Sequence, residues 1–166
     1  MAGLSNVKLL EMDSNGLDCT ESMMLWQGLA HCSSLQHLVL SENRLRHHAV
    51  RAMSVLFARC ECLTNINLRG NSVGDCGVTS IANALMHNHT LRVLNISRNN
   101  IYYDGASALA RLIRSANSLH CLDLTHNHIQ TPGVDQLLSA WLYAPPGHFK
   151  IMLHGNPGFP RRCPRA

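Results

Sequence analysis

The 166-residue chain is 46% hydrophobic and only 14% charged, enough apolar material for one domain with a sizeable core. Its formal net charge of +4 is modest, and three of its arginines sit in the terminal RRCPRA, so the balance demands neither a nucleic-acid groove nor a membrane surface. No apolar run approaches about 20 residues, and the opening MAGLSNVKLLEMDSNG lacks the charged, apolar, small-residue order of a secretory leader.

In chain order the same element recurs. VKLLEMDSNGL from Val7, LQHLVLSENRL from Leu35, LTNINLRGNSV from Leu63, LRVLNISRNNI from Leu91 and LHCLDLTHNHI from Leu119 all follow L-x-x-L-x-L-x-x-N-x-L, with evenly spaced starts. A sixth, decayed copy, HFKIMLHGNPG, begins at His148, a single position later than even spacing would put it. Alternating apolar positions predict a short strand at each start. Between strands, apolar pairs four residues apart predict one face of a helix: Leu25 and Leu29, Met53 and Phe57, Ile81 and Leu85, Leu109 and Ile113, Leu137 and Trp141. Thr20, Asp75, Asp104, and Thr131 followed by Pro132, supply helix-start chemistry. Gly77, Gly105 and Gly133 share a column, where a small residue is expected to let each helix approach the strand layer. The expected organisation is one domain over residues 1–160 with repeats starting near 7, 35, 63, 91, 119 and 148, and a short basic tail at 161–166.

These eleven-residue copies resemble the leucine-rich repeat family, and in their 28-residue period the ribonuclease-inhibitor-like subclass, which includes the Ran GTPase-activating protein and the repeat regions of nucleotide-binding oligomerisation-domain receptors. The resemblance covers about Val7 to Gly158 and implies an α/β fold: a curved right-handed solenoid with a parallel concave sheet and helices on the convex side.

Strand alternation then divides each repeat. Leu10, Leu38, Ile66, Leu94, Leu122 and Ile151, with Met12, Leu40, Leu68, Ile96, Leu124 and Leu153, are expected in the core. Asn15, Asn43, Asn71, Asn99, Asn127 and Asn156 form a column whose amides are expected to pair with backbone left open where the chain turns. On the concave face Glu11, Asp13, Asn67, Arg69, Asn95, Arg98, Asp123, His126 and His154 are the candidate partner-binding residues, and removing Arg69, Asn95 and Asp123 together is expected to abolish partner capture without changing stability.

The leading functional expectation is a non-catalytic module that binds a protein partner through this face, with no cofactor, no nucleic acid and no membrane. The alternative implied by the subclass resemblance is a regulator of a small GTPase or a repeat-region fragment of an innate-immune-type receptor. Sharper chemistry has weak support. Asp123, His126 and His154 beside Cys121 lack zinc-ligand spacing, a Cys121–His154 nucleophile lacks evident oxyanion donors, and the arginines are not interleaved with stacking aromatics. Seven cysteines without C-x-x-C pairing point to reduced thiols in the cytoplasm or nucleus, and no disulfide is expected between Cys32 and Cys60. The N-I-S triplet at Asn95 lies inside a strand, so glycosylation there is not expected. Only MAGLSN precedes the first repeat, so an association partner or a longer parent chain is expected to cover its core.

Overall fold

The computed structural model describes residues 6–29, 31–115, 118–144 and 149–160, so the sixth-repeat start at His148, Cys163 and the basic tail lie outside the described residues. Strand and helix alternate: β1 (Leu9–Glu11), α1 (Cys19–Leu29), β2 (His37–Val39), α2 (His47–Arg59), β3 (Asn65–Asn67), α3 (Gly74–Leu85), β4 (Val93–Asn95), α4 (Tyr103–Ser115), β5 (Cys121–Asp123), α5 (Thr131–Leu142) and β6 (Lys150–Met152). The strands form one open parallel sheet in sequence order. The register is constant even though the sixth coil comes one residue late, the extra residue falling in the unit of α5 before β6: Leu10, Leu38, Ile66, Leu94, Leu122 and Ile151 stand side by side.

Each of these leucines and isoleucines is the middle residue of a three-residue strand, pointing inward between two outward neighbours. Leu38, Leu94 and Leu122 are fully buried, as are Leu40, Leu68, Ile96 and Leu124 from the next inward column. Removing each from water contributes roughly 1.5–3 kcal/mol. Leu10, Met12 and Ile151, in the first and last coils, are only half-buried, because among the described residues each has a neighbouring coil on one side alone.

The helix faces depart from expectation at both ends. In α1 the large buried residue is Trp26, while Leu25 is half-buried; in α5 Leu137 is buried but Trp141 is 41% exposed and donates its indole N–H to Phe149 O at 2.9 Å. The shared glycine column serves close approach on two sides. A Cβ on Gly77 would lie 2.6 Å from Val73 Cγ1 and 3.3 Å from His47 Cα, one on Gly105 2.7 Å from Ile101 Cγ2 and 3.4 Å from Asp75 Cα, and one on Gly133 2.8 Å from Ile129 Cγ2 and 3.2 Å from Ala106 Cβ. The helix closes both on the last apolar residue of its own coil's motif and on the preceding helix.

Helix starts also differ. α2, α3 and α5 begin after Arg46, Val73 and Gln130, none of which caps through its side chain. Asp75 and Asp104 lie in the first turn instead, and Pro132 occupies the first turn of α5 as proline tolerates. Asp75 reaches across to the next coil, its Oδ1 accepting the Tyr102 N–H at 2.7 Å. Contacts between repeats thus replace capping within a repeat. α1 begins at Cys19, and the Thr20 side chain lies outside the described residues.

Candidate functional site: the outer sheet face and its turns

The chain leaves each strand through a left-handed turn that recurs at the same column: Ser14, Glu42, Gly70, Arg98, His126 and Gly155 have φ between 54° and 78°. Four of these six are not glycine, each at a steric cost of about 1–2 kcal/mol. The turn keeps the ladder going, since Glu42 N–H donates to Arg69 O at 2.8 Å, Arg98 N–H to Thr125 O at 3.0 Å and His126 N–H to His154 O at 3.0 Å.

One residue later comes the asparagine column. Asn71 Nδ2 donates to Leu40 O of the preceding coil at 3.0 Å and to Leu68 O at 2.9 Å, while its Oδ1 accepts the Leu45 N–H at 3.0 Å. Asn99 donates to Leu68 O and Ser97 O and accepts from Val73 N–H; Asn127 accepts from Asn99 N–H and Ile101 N–H. Asn43 and Asn156 repeat the pattern. Asn15, in the first coil, is exposed, and its side chain donates only to Asp13 O.

A second polar column closes the strand ends. Asn67 Oδ1 accepts Arg69 N–H at 3.0 Å, Asn95 Oδ1 accepts Ser97 N–H at 3.0 Å and its hydroxyl at 2.7 Å, and Asp123 Oδ1 accepts Thr125 N–H at 2.9 Å. These are local side-chain turns that close each strand end. Ser97 and Thr125, which alternation would direct to the outer face, are buried as a result. Asp13 Oδ1 serves the neighbouring coil, accepting Ser41 N–H at 2.7 Å and Ser41 hydroxyl at 2.5 Å. Both Asn95 and Asp123 hold backbone, so replacing them is expected to lower stability as well as alter the face. The signal was there in the two-residue spacing of Asn67 and Arg69, Asn95 and Ser97, Asp123 and Thr125.

What remains outward-facing is a smaller set. Arg69 pairs with Glu42 at 2.6 Å, the carboxylate lying over Gly70, where a Cβ would meet it at 2.5 Å. His126 packs over Gly155 and meets His154 edge-on with ring centroids 5.5 Å apart. Glu11, Arg98, His126 and His154 are exposed, and among the described residues none of them forms an ion pair. No group of three or more His, Cys, Asp or Glu among the described residues is placed to hold a metal, so Asp123, His126, His154 and Cys121 do not assemble one. Burial raises the Cys121 thiol above its ordinary pKa, with Lys150 opposing, which disfavours the thiolate a nucleophile would need.

A repeat-by-repeat pattern also lies on the opposite edge. Cys60 Sγ–H donates to Leu29 O at 3.6 Å and Asn88 Nδ2 to Phe57 O at 2.9 Å, both reaching back to the preceding coil. Cys32 and Cys60 are free, buried thiols in this column.

The Leucine Rich repeat family profile matches residues 59–82, 87–110 and 115–138, windows that advance in step with the coils. Over these windows the chain carries leucine-rich repeats, and it folds as their α/β solenoid. Among solved structures, this repeat protein is similar to the leiomodin-1 actin-binding site 2 at 14% identity, covering 84% of this chain and 81% of that one with a TM-score of 0.67. It is also similar to a pollen receptor kinase 3 at 16% identity, covering 91% and 74% with a TM-score of 0.50. No curated protein matches its sequence. Among its described residues no helix is long and apolar enough to cross a membrane.

Proposed function

We propose that this leucine-rich repeat protein is a non-catalytic interaction module that binds a protein partner through the outer face of its sheet, at the turn side of repeats 4 to 6. One observation carries the reading: Arg98 and His126 keep long polar side chains at left-handed positions where Gly70 and Gly155 show that glycine serves the backbone. Ser14 and Glu42 share the conformation and Glu42 is tied to Arg69, whereas Arg98 and His126 are exposed and form no ion pair among the described residues, so their side chains are open to a partner. His154 adjoins them, and Glu11 with Asp13 lies at the acidic far end, so the face can orient a partner. Leiomodin-1 offers a precedent of class, since its similar structure is described as an actin-binding site. The 28-residue coil with a helix in every full unit supports placement in the ribonuclease-inhibitor-like subclass, and the free thiols support a cytoplasmic or nuclear setting.

The test follows from the strain. Changing Arg98 and His126 together to glycine leaves the melting temperature unchanged or raised, because steric cost is relieved while unfolded-chain freedom grows by a comparable amount of about 1 kcal/mol. Partner capture in an affinity pull-down, with actin as one defined bait, falls in that variant. Undiminished capture would place the binding surface elsewhere.

A further inference from the structure

We propose that the edge where strands begin and helices end docks an acidic protein segment bearing apolar side chains, a surface that meets the sheet face at Lys150 but lies opposite its turns. Each coil runs along a strand and returns along a helix, so strand starts, helix ends and return loops share that edge. Six exposed cations gather on it: Lys8, Arg92 and Lys150 at or beside strand starts, and Arg59, Arg111 and Arg114 near the ends of α2 and α4. Among the described residues Glu61 is the one carboxylate there, and none of the six cations forms an ion pair. Of the 14 Lys and Arg, three more lie in RRCPRA; the remaining five share the rest of the chain with nine of the ten carboxylates. The molecule is therefore polarised. Helix-dipole complementation accounts for Arg59 and Arg114 in last helical turns but not for Lys8, Arg92 or Lys150.

The same edge carries the largest exposed apolar groups of the last repeat. Leu142 is 71% and Tyr143 83% exposed at the end of α5, beside Trp141, and Met86 is 40% exposed at the end of α3. Apolar anchors ringed by unpaired charge are the composition of a protein-docking surface. Leu142 and Met86 offer no face on which a base stacks whereas Tyr143 and Trp141 do, so the aliphatic anchors favour a protein segment and an oligonucleotide is the comparator that decides. Between the return loops after α2 and α3 lies a cleft of about 350 Å³, lined by Phe57, Glu61, His87 and His89 among others, a seat for an apolar side chain of the segment rather than an acidic one. With coils about 4.8 Å apart, the edge from Lys8 to Lys150 spans about 24 Å, the length of roughly seven extended residues.

The experiment measures fluorescence anisotropy of a labelled glutamate-rich dodecapeptide containing two phenylalanines. Its comparators are a glutamine-for-glutamate version and a thymidine dodecanucleotide, each at low and high salt. The full chain is compared with R92E/R114E, with L142A/Y143A, and with R44E/R51E, which removes the same net charge away from the edge. The acidic peptide binds, binding weakens with salt, R92E/R114E loses about tenfold, L142A/Y143A also weakens it, and R44E/R51E stays within about twofold. Equal losses in the two charge-reversal variants, preference for the oligonucleotide, or indifference to L142A/Y143A would each overturn the proposal; circular dichroism melting of every variant separates unfolding from lost contacts.

Discussion

At the residue scale, the motif's asparagines answer two different needs. Asn99 is fully buried, donates its amide to Leu68 O and Ser97 O and accepts the Val73 N–H. Leu68 O keeps Asn71 Nδ2 and Ser97 O keeps the Gly70 N–H, so Asn99→Leu strands the Val73 N–H and opens the amide's buried site, and urea denaturation should show a loss of at least about 1–3 kcal/mol. An unchanged midpoint would mean that water replaces the amide. This column was legible in the sequence because it returns once in every repeat among apolar neighbours. The backbone role of the Asn67, Asn95 and Asp123 column was less legible, because period-two alternation assigns a direction to a side chain but says nothing of a hydrogen bond it makes two residues along its own strand. Left-handed φ was hidden for a related reason: the column holds Ser14, Glu42, Arg98 and His126 beside two glycines, so residue type does not announce the turn that the ladder bonds impose.

At the element scale, the helices were legible as apolar pairs, but their starts and contacts were not, since those depend on the coil next door. Two glycines show the difference. Gly28, inside α1, has nothing within 4 Å of a built Cβ, so Gly28→Ala should stabilise by about 0.5–1 kcal/mol through helix propensity alone. Gly105, inside α4, would place a Cβ 2.6 Å from Asp75 Oδ1 and 2.7 Å from Ile101 Cγ2; Gly105→Ala should cost about 1–3 kcal/mol by pushing helices apart and disturbing the Asp75 bond to Tyr102. Thermal melts of the two variants moving in the same direction would contradict the close-approach reading. The thiols divide in the same structural way. Burial raises the Cys32 and Cys60 thiols, so less thiolate exists at a given pH, whereas Cys62 and Cys76 are exposed. A thiol reagent at pH 8 should label Cys62 and Cys76 in the native protein and reach Cys32 and Cys60 only in denaturant, as mass spectrometry of the labelled peptides would resolve.

At the scale of the whole molecule, a solenoid's stability is a sum over coils and the interfaces between them, so position along the stack matters. The central coils bury their inward leucines and isoleucines completely, whereas Leu10 and Met12 of the first coil are half-buried and Asn15 is exposed. Trp26 fills the first coil, yet its indole N–H is buried without a partner among the described residues, a further cost of about 1–3 kcal/mol charged to that coil alone. The first coil should therefore open before the centre does. The chain has two tryptophans, and Trp141→Phe leaves Trp26 as the single indole reporter of the first coil. In that variant the urea midpoint read by Trp26 fluorescence should fall below the midpoint read by far-ultraviolet circular dichroism, which averages over all helices. Hydrogen exchange should agree, with α4 amides slower than α1 amides by tenfold or more, about 1.4 kcal/mol of local opening free energy. Coincident midpoints would instead make the stack one cooperative unit, with interface terms strong enough to carry the weaker coil. A binding partner on the sheet face of repeats 4 to 6 would then stabilise every coil alike; under the graded reading it leaves the Trp26 transition where it was.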